Sequence, residues 1–160
     1  MHRLFRSTLI VASFVLTVAS ASIAFAAPAS WQEIDVSLRS ENSGGVMLIS
    51  GTLPDTVSLP AEAELAVPAG SQLQWIGQIL GGAASADPEL KYTKATANGL
   101  DVYRFTLTKS RIAQVEVPTS AGAAFDGSSY TSALKWSAPQ AVPEVRMSVR
   151  VPQGAQVPAA

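Results

Sequence analysis

The chain has 160 residues, 11 basic and 12 acidic side chains, a formal charge of −1, no cysteine and one histidine, His2. Disulfide staples and thiolate chemistry are therefore excluded, as are Ser-His-Asp and Cys-His catalysis beyond position 2. Zinc, copper and haem sites built on imidazole or thiolate are excluded on the same ground, leaving carboxylate chemistry, Ser-Lys chemistry or a hard cation held by oxygens.

The N-terminus carries an export pattern. Arg3 and Arg6 make a positive start, and Thr8 to Phe25 is uncharged and rich in apolar residues. Ala24-Phe25-Ala26 then supplies the small-x-small cleavage pattern of a secretory signal peptide. Residues 1–26 are expected to be removed between Ala26 and Ala27. The alternative is an uncleaved anchor, since Leu9 to Ala26 approaches the roughly 17–25 residues that span a bilayer. Ser20, Ser22 and four alanines dilute its second half, which favours cleavage. No second long apolar run follows, so no membrane span is expected after cleavage, and without cysteine there is no lipobox. Residues 27–152 are expected to form one domain and 153–160 a flexible tail of Gln, Gly, Ala, Val and Pro. Without residues 1–26, nine basic and twelve acidic groups remain, a formal charge of −3. Nucleic acid is a poor partner for such a surface.

Taken in chain order, the segments alternate like strands. Ile34, Val36 and Leu38 share one face of Glu33 to Arg39; Asn42-Ser43-Gly44-Gly45 is a turn, and Val46 to Ser50 returns. Thr56 to Leu59 offers a short strand. Ala61 to Val67 is bracketed by Pro60 and Pro68, too short for a stable helix, and its alternation fits a strand. Gln72 to Leu80 places Leu73, Trp75, Gly77 and Ile79 on one face, predicted inward. Gly81 to Pro88 is a small-residue loop. Asn98-Gly99 suits a type I′ turn, since both central residues need positive φ. It joins Leu90–Ala97 to Leu100–Thr108, and Lys109-Ser110 leads on to Arg111–Val117, which predicts a three-stranded meander. Thr119 to Ser129 is a loop, and Tyr130–Ser137 and Val142–Val151 are the last strands. In the final strand Val145, Met147, Val149 and Val151 make a face predicted inward.

Eight or nine short strands with frequent turns predict an all-β fold, an antiparallel β-sandwich. In general architecture it resembles immunoglobulin-like or fibronectin type III-like extracellular modules, without the Cys…Trp…Cys spacing of the former.

Candidate sites are few. Trp31, Trp75 and Trp136 could each offer a face to a sugar, but Trp75 and Trp136 share faces with apolar neighbours and are predicted in the core, while Trp31 suits the end of a sandwich. Asp87, Glu89, Asp101 and Asp126 lie in or beside loops. A glycosidase needs two carboxyl groups facing across a cleft; Asp87-Pro88 and Asp126-Gly127 are explained equally by turn chemistry. Lys109-Ser110-Arg111 has the residues of a Ser-Lys site, but neighbours in a turn point apart and an exposed lysine keeps its proton. Glu62 and Glu64 fit edge protection. No catalytic, cofactor-binding or metal-ligating set emerges. The remaining candidate is the Gly81–Pro88 loop, in which Gly81, Gly82, Ser85 and Asp87 could lie against a partner, although its composition equally fits an idle connector.

These features predict an exported, non-enzymatic binding or accessory module, secreted or held at the cell envelope. Its partner would be an envelope protein or a glycan. The alternatives are a secreted carboxylate-dependent hydrolase of glycosidase type and a carbohydrate-binding module.

Overall fold

A computed structural model describes residues 27–41, 44–118, 123–125, 130–132 and 136–150. The predicted signal segment 1–26, the predicted turns at Asn42-Ser43 and Asp126-Gly127, Val151 and the predicted 153–160 tail lie outside the described residues.

The described chain is an all-β sandwich of two packed sheets. Its strands are β1 (Glu33–Glu41), β2 (Gly44–Thr52), β3 (Ala61–Pro68), β4 (Trp75–Gln78), β5 (Tyr92–Ala97), β6 (Leu100–Leu107), β7 (Ile112–Pro118), β8 (Ala123–Phe125), β9 (Tyr130–Ser132) and β10 (Glu144–Arg150). One sheet runs β10-β1-β2-β7-β4 and the other β3-β6-β5, while β8 and β9 pair with each other. All pairings are antiparallel except β10 with β1, which is parallel. Among the described residues no helix is long and apolar enough to cross a membrane.

Period-two alternation builds the core. Ile34 and Val36 of β1, Met47 and Ile49 of β2, and Val115 and Val117 of β7 meet Ala63, Leu65 and Val67 of β3 and Tyr103, Phe105 and Leu107 of β6. Trp31 joins the sheets. It is 1 % exposed and its indole N–H donates to the carbonyl of Glu64 at 2.6 Å. The ring lies against Gly51, where a Cβ would stand 2.6 Å from Cδ2. The edge of β3 is covered the same way further along. Its Glu62 carbonyl accepts from the Ala29 N–H and its Ala66 carbonyl from the Trp136 indole N–H, so alternate carbonyls of an edge strand are satisfied by the chain's own flanking segments.

Several expectations are corrected. Thr56–Leu59 is turn and bend, and Ala123–Phe125 is a short strand inside the predicted loop. The Asn98-Gly99 hairpin stands, with φ of 54° and 75°. The meander stops there, because β7 leaves β6 and inserts between β2 and β4 of the opposite sheet. The cause is Gln78. Its buried Oε1 accepts from the N–H groups of Thr108, Lys109 and Ser110 at 2.8, 2.8 and 3.2 Å, which turns the chain over the end of the sandwich. Trp136 is half-buried and outside any described strand. Finally, Val145, Met147 and Val149 are 44 %, 54 % and 51 % exposed: they share the core-facing side of Ile34, Val36 and Leu38, but β10 overhangs the smaller sheet.

Candidate functional site

The site centres on Trp75, which lies on the opposite face of its strand from the one predicted. The run Leu73-Gln74-Trp75-Ile76-Gly77-Gln78-Ile79 carries apolar residues in both registers. Two contacts decide between them. Ile76 packs in the core beside Val115, and Gln78 must face inward to reach the 108–110 turn. Trp75 and Gly77 are thereby turned to the outer face of the five-stranded sheet, opposite Glu116 and Gln114 of β7. Gly77 provides the room this requires. A Cβ there would stand 2.1 Å from Trp75 Cζ2 and 2.7 Å from the Pro88 carbonyl, so the indole lies across the bare strand, half-buried.

Trp75, Ile79, Ala84, Asp87, Gln114 and Glu116 line a depression of about 280 Å³. Its polar side is ordered by a chain of hydrogen bonds. The Ser50 hydroxyl donates to Gln114 Oε1 at 2.9 Å, and Gln114 Nε2 donates to Glu116 Oε1 at 2.7 Å. The lining therefore holds two carboxylates, one carboxamide and one indole, and no basic side chain. Among the described residues neither Asp87 nor Glu116 is ion-paired.

The Gly81–Pro88 loop forms the wall next to Trp75. It leaves β4 and returns to it: Gln78 N–H donates to the Pro88 carbonyl at 3.0 Å, Leu90 N–H to the Ile76 carbonyl at 3.0 Å, and Gly77 bridges to Glu89. Gly81 takes the left-handed φ of 81° that opens the loop, and Asp87 Oδ1 closes it by accepting from the Leu80 N–H at 2.8 Å. Between them Ala84–Ala86 makes a single 3-10 turn. Of the four loop residues singled out from sequence, Asp87 lines the depression, while Gly81, Gly82 and Ser85 stand exposed outside its lining. Gln114 and Glu116 were missed, and Trp75, weighed as a sugar-stacking residue, was assigned to the core. Gln114 and Glu116 sit at outward positions of an ordinary alternating strand, and only the β4–β7 register brings Trp75 beside them.

Most of the other described candidates make structural contacts. Asp101 is buried. It pairs with Lys94 Nζ at 2.8 Å and accepts from the Thr96 hydroxyl at 2.6 Å and the Gly70 N–H at 3.0 Å. The Lys94 and Thr96 bonds hold its carboxyl below the usual carboxylate range. Burial pushes the neighbouring Tyr103 phenol up. Together these bonds clip the Gly70 turn to the β5–β6 hairpin. Glu89 is exposed. Ser110 Oγ accepts from the Ile112 N–H at 3.1 Å, a turn contact. Glu64 is paired with Arg104 at 2.6 Å and Glu62 accepts from Thr106, both on edge strand β3.

Two further depressions differ in kind. One of about 270 Å³ on the smaller sheet is lined by Glu64 and Arg104, whose charges neutralise each other. One of about 430 Å³ beside the Asn98-Gly99 turn is lined by Trp136, but the indole N–H there is already donated to the Ala66 carbonyl. No family model, curated protein or solved structure matches the chain.

Proposed function

We propose that the protein is an exported, non-enzymatic binding module and that the Trp75 depression holds a hydroxyl-rich ligand, a glycan of the cell envelope or its surroundings. The observation that carries this reading is the outward indole covering Gly77, framed by Asp87, Gln114 and Glu116. An aromatic plane accepts the apolar C–H face of a sugar ring. Carboxylate and carboxamide groups at its rim match the alternating donors and acceptors of sugar hydroxyls. The carboxylates disfavour acidic sugars and phosphates and favour neutral or amino sugars. The export pattern of residues 1–26 supports a site of action outside the cytoplasm. The resemblance to immunoglobulin-like and fibronectin type III-like extracellular modules that the sequence suggests is in keeping with a binding role.

The test is affinity electrophoresis of the exported protein in gels containing neutral, amino-sugar and acidic polysaccharides. Retardation by one of the first two classes is expected. Trp75→Ala should abolish it, and Trp136→Ala should leave it intact. Retardation that survives Trp75→Ala would remove the site from consideration, and retardation by no polysaccharide would refute the glycan reading.

A second reading draws on one observation: Asp87 and Glu116 line the same depression, as a carboxylate-dependent hydrolase would require. Here the two readings diverge at Glu116→Gln. A binding module should release no reducing sugar with or without the substitution. A hydrolase should release it only with Glu116 intact.

A further inference from the structure

We infer that β10 is a self-complementary pairing edge through which two copies of the chain join, extending the five-stranded sheet across a two-fold axis at Met147. The inference starts from how differently the sheet edges are treated. The edge of β3 is covered by Ala29, Trp31 and Trp136, and the edge of β4 by the returning Pro88–Leu90 segment. In the smaller sheet β5 is preceded by Lys91 and carries Lys94, the residue type that commonly guards an edge. By contrast β10 is seven residues of extended chain without proline or lysine, and among the described residues it ends its sheet. It carries an apolar stripe, Val145, Met147 and Val149, 44 %, 54 % and 51 % exposed. Long exposed apolar edges of this kind are templates for strand addition.

The sequence of β10, Glu-Val-Arg-Met-Ser-Val-Arg, says what it is built to meet. In an antiparallel pair, directly opposite residues share a face, and opposite charges there stabilise while like charges destabilise. Centring the pair on Met147 sets Met147 against itself, Val145 against Val149, Arg146 against Ser148, and Glu144 against Arg150 at both ends. Every apolar residue then meets an apolar residue, and no like charges are opposed. Sliding by two residues one way sets Arg146 against Arg146, and the other way sets it against Arg150. Sliding by one residue sets Val and Met against charged or polar side chains. One register satisfies both the apolar stripe and the charges, and it is the symmetric one expected of a two-fold dimer.

The absence of cysteine makes the test clean. Met147→Cys places two thiols opposite each other at a Cα separation of roughly 4.5–5.5 Å, within disulfide reach. Val145→Cys places them about 13 Å apart, out of reach. Under mild oxidation of the exported protein, Met147→Cys should cross-link nearly completely. Val145→Cys should not, and the Val145→Cys/Val149→Cys double variant should. Sedimentation velocity of the unmodified protein should show a dimer that dissociates on dilution. Glu144→Arg should weaken it at least tenfold, and Arg150→Glu added to it should restore the affinity. Circular dichroism confirms that each variant folds. A monomer at all concentrations, equal cross-linking of Met147→Cys and Val145→Cys, or a dimer indifferent to Glu144→Arg would each overturn the inference.

Discussion

The three tryptophans should respond differently to truncation, and the difference measures the reversal of β4. Trp31 is enclosed between the sheets, and its N–H satisfies the Glu64 carbonyl. Removing a buried tryptophan costs about 3–5 kcal/mol, and leaving the carbonyl without its donor moves Trp31→Ala to the upper end, about 4–5 kcal/mol. Trp75 is half-buried on the outer face. A tryptophan buries about 150–250 Å² when enclosed. Half of that, at about 25 cal/mol per Å², bounds Trp75→Ala at about 3 kcal/mol, and compactness of the unfolded chain lowers the expectation to about 1–2 kcal/mol. At about 4 °C per kcal/mol for a domain of this size, Trp31→Ala should melt about 16–20 °C lower and Trp75→Ala about 4–8 °C lower. Urea unfolding followed by far-UV circular dichroism measures both. Acrylamide should quench Trp75 in a variant lacking Trp31 and Trp136 more strongly than Trp31 in a variant lacking the other two. Equal destabilisation by Trp31→Ala and Trp75→Ala would refute the outward placement of Trp75 and, with it, the proposed site.

Asp101 titrates below the ordinary carboxylate range in the folded chain, held chiefly by Lys94 and then by Thr96. Its stabilisation is therefore fully present above its unfolded value of about 3.9 and is lost as pH falls through the lower folded value. Urea midpoints should fall below about pH 4, and Asp101→Asn should lower the midpoint at pH 7 while flattening that acid decline. Gln78→Ala strips the acceptor from three turn N–H groups, and should cost about 2–4 kcal/mol and speed amide exchange at Thr108, Lys109 and Ser110. Gly51→Ala drives a Cβ to 2.6 Å from the Trp31 ring and should cost about 1–3 kcal/mol by thermal melt, whereas Gly82→Ala, with nothing within 4 Å, should be close to neutral.

The fold was legible where alternation met only one choice. In β1, β3, β6 and β7 the apolar set occupies one face, and the structure buries that face. The Asn98-Gly99 turn was legible because its backbone demands are local. Trp75 was not. Leu73, Trp75 and Ile79 outweigh Ile76 in any count of apolar residues, but Gln78 has to turn inward to collect three N–H groups from a turn thirty residues away. A long-range hydrogen-bond requirement overrode the local pattern. The exit of β7 from the meander has the same origin. The exposed stripe of β10 was invisible for a further reason: alternation shows that a strand has an apolar face, and only the widths of the opposed sheets, five strands against three, show whether anything lies over it. The loop at Gly81–Pro88 was singled out for its small residues, whereas the lining draws on Ala84 and Asp87 and not on the glycines.

The two proposed surfaces sit at opposite edges of one sheet, and their geometry links them. A two-fold axis perpendicular to the sheet keeps the outer faces of both copies on the same side. Pairing through β10 would give the order β4-β7-β2-β1-β10 followed by its mirror sequence in the second copy, ten strands with a Trp75 depression at each end. Nine inter-strand steps of about 4.8 Å set the two depressions about 40 Å apart, less whatever the twist removes. Each depression is shallow and built from one aromatic and three polar groups, which suits modest affinity for a single sugar unit. Two such sites held on one rigid face act on a polymer or a repeating surface with an effective concentration that multiplies the affinity without any new contact. A site this small is then no obstacle to stable attachment. The linkage is measurable: Glu144→Arg leaves every residue of the depression in place, so it should leave binding of a short oligosaccharide unchanged and weaken retention on the corresponding polymer. Equal retention of the unmodified protein and Glu144→Arg on polymer would show that each depression acts alone.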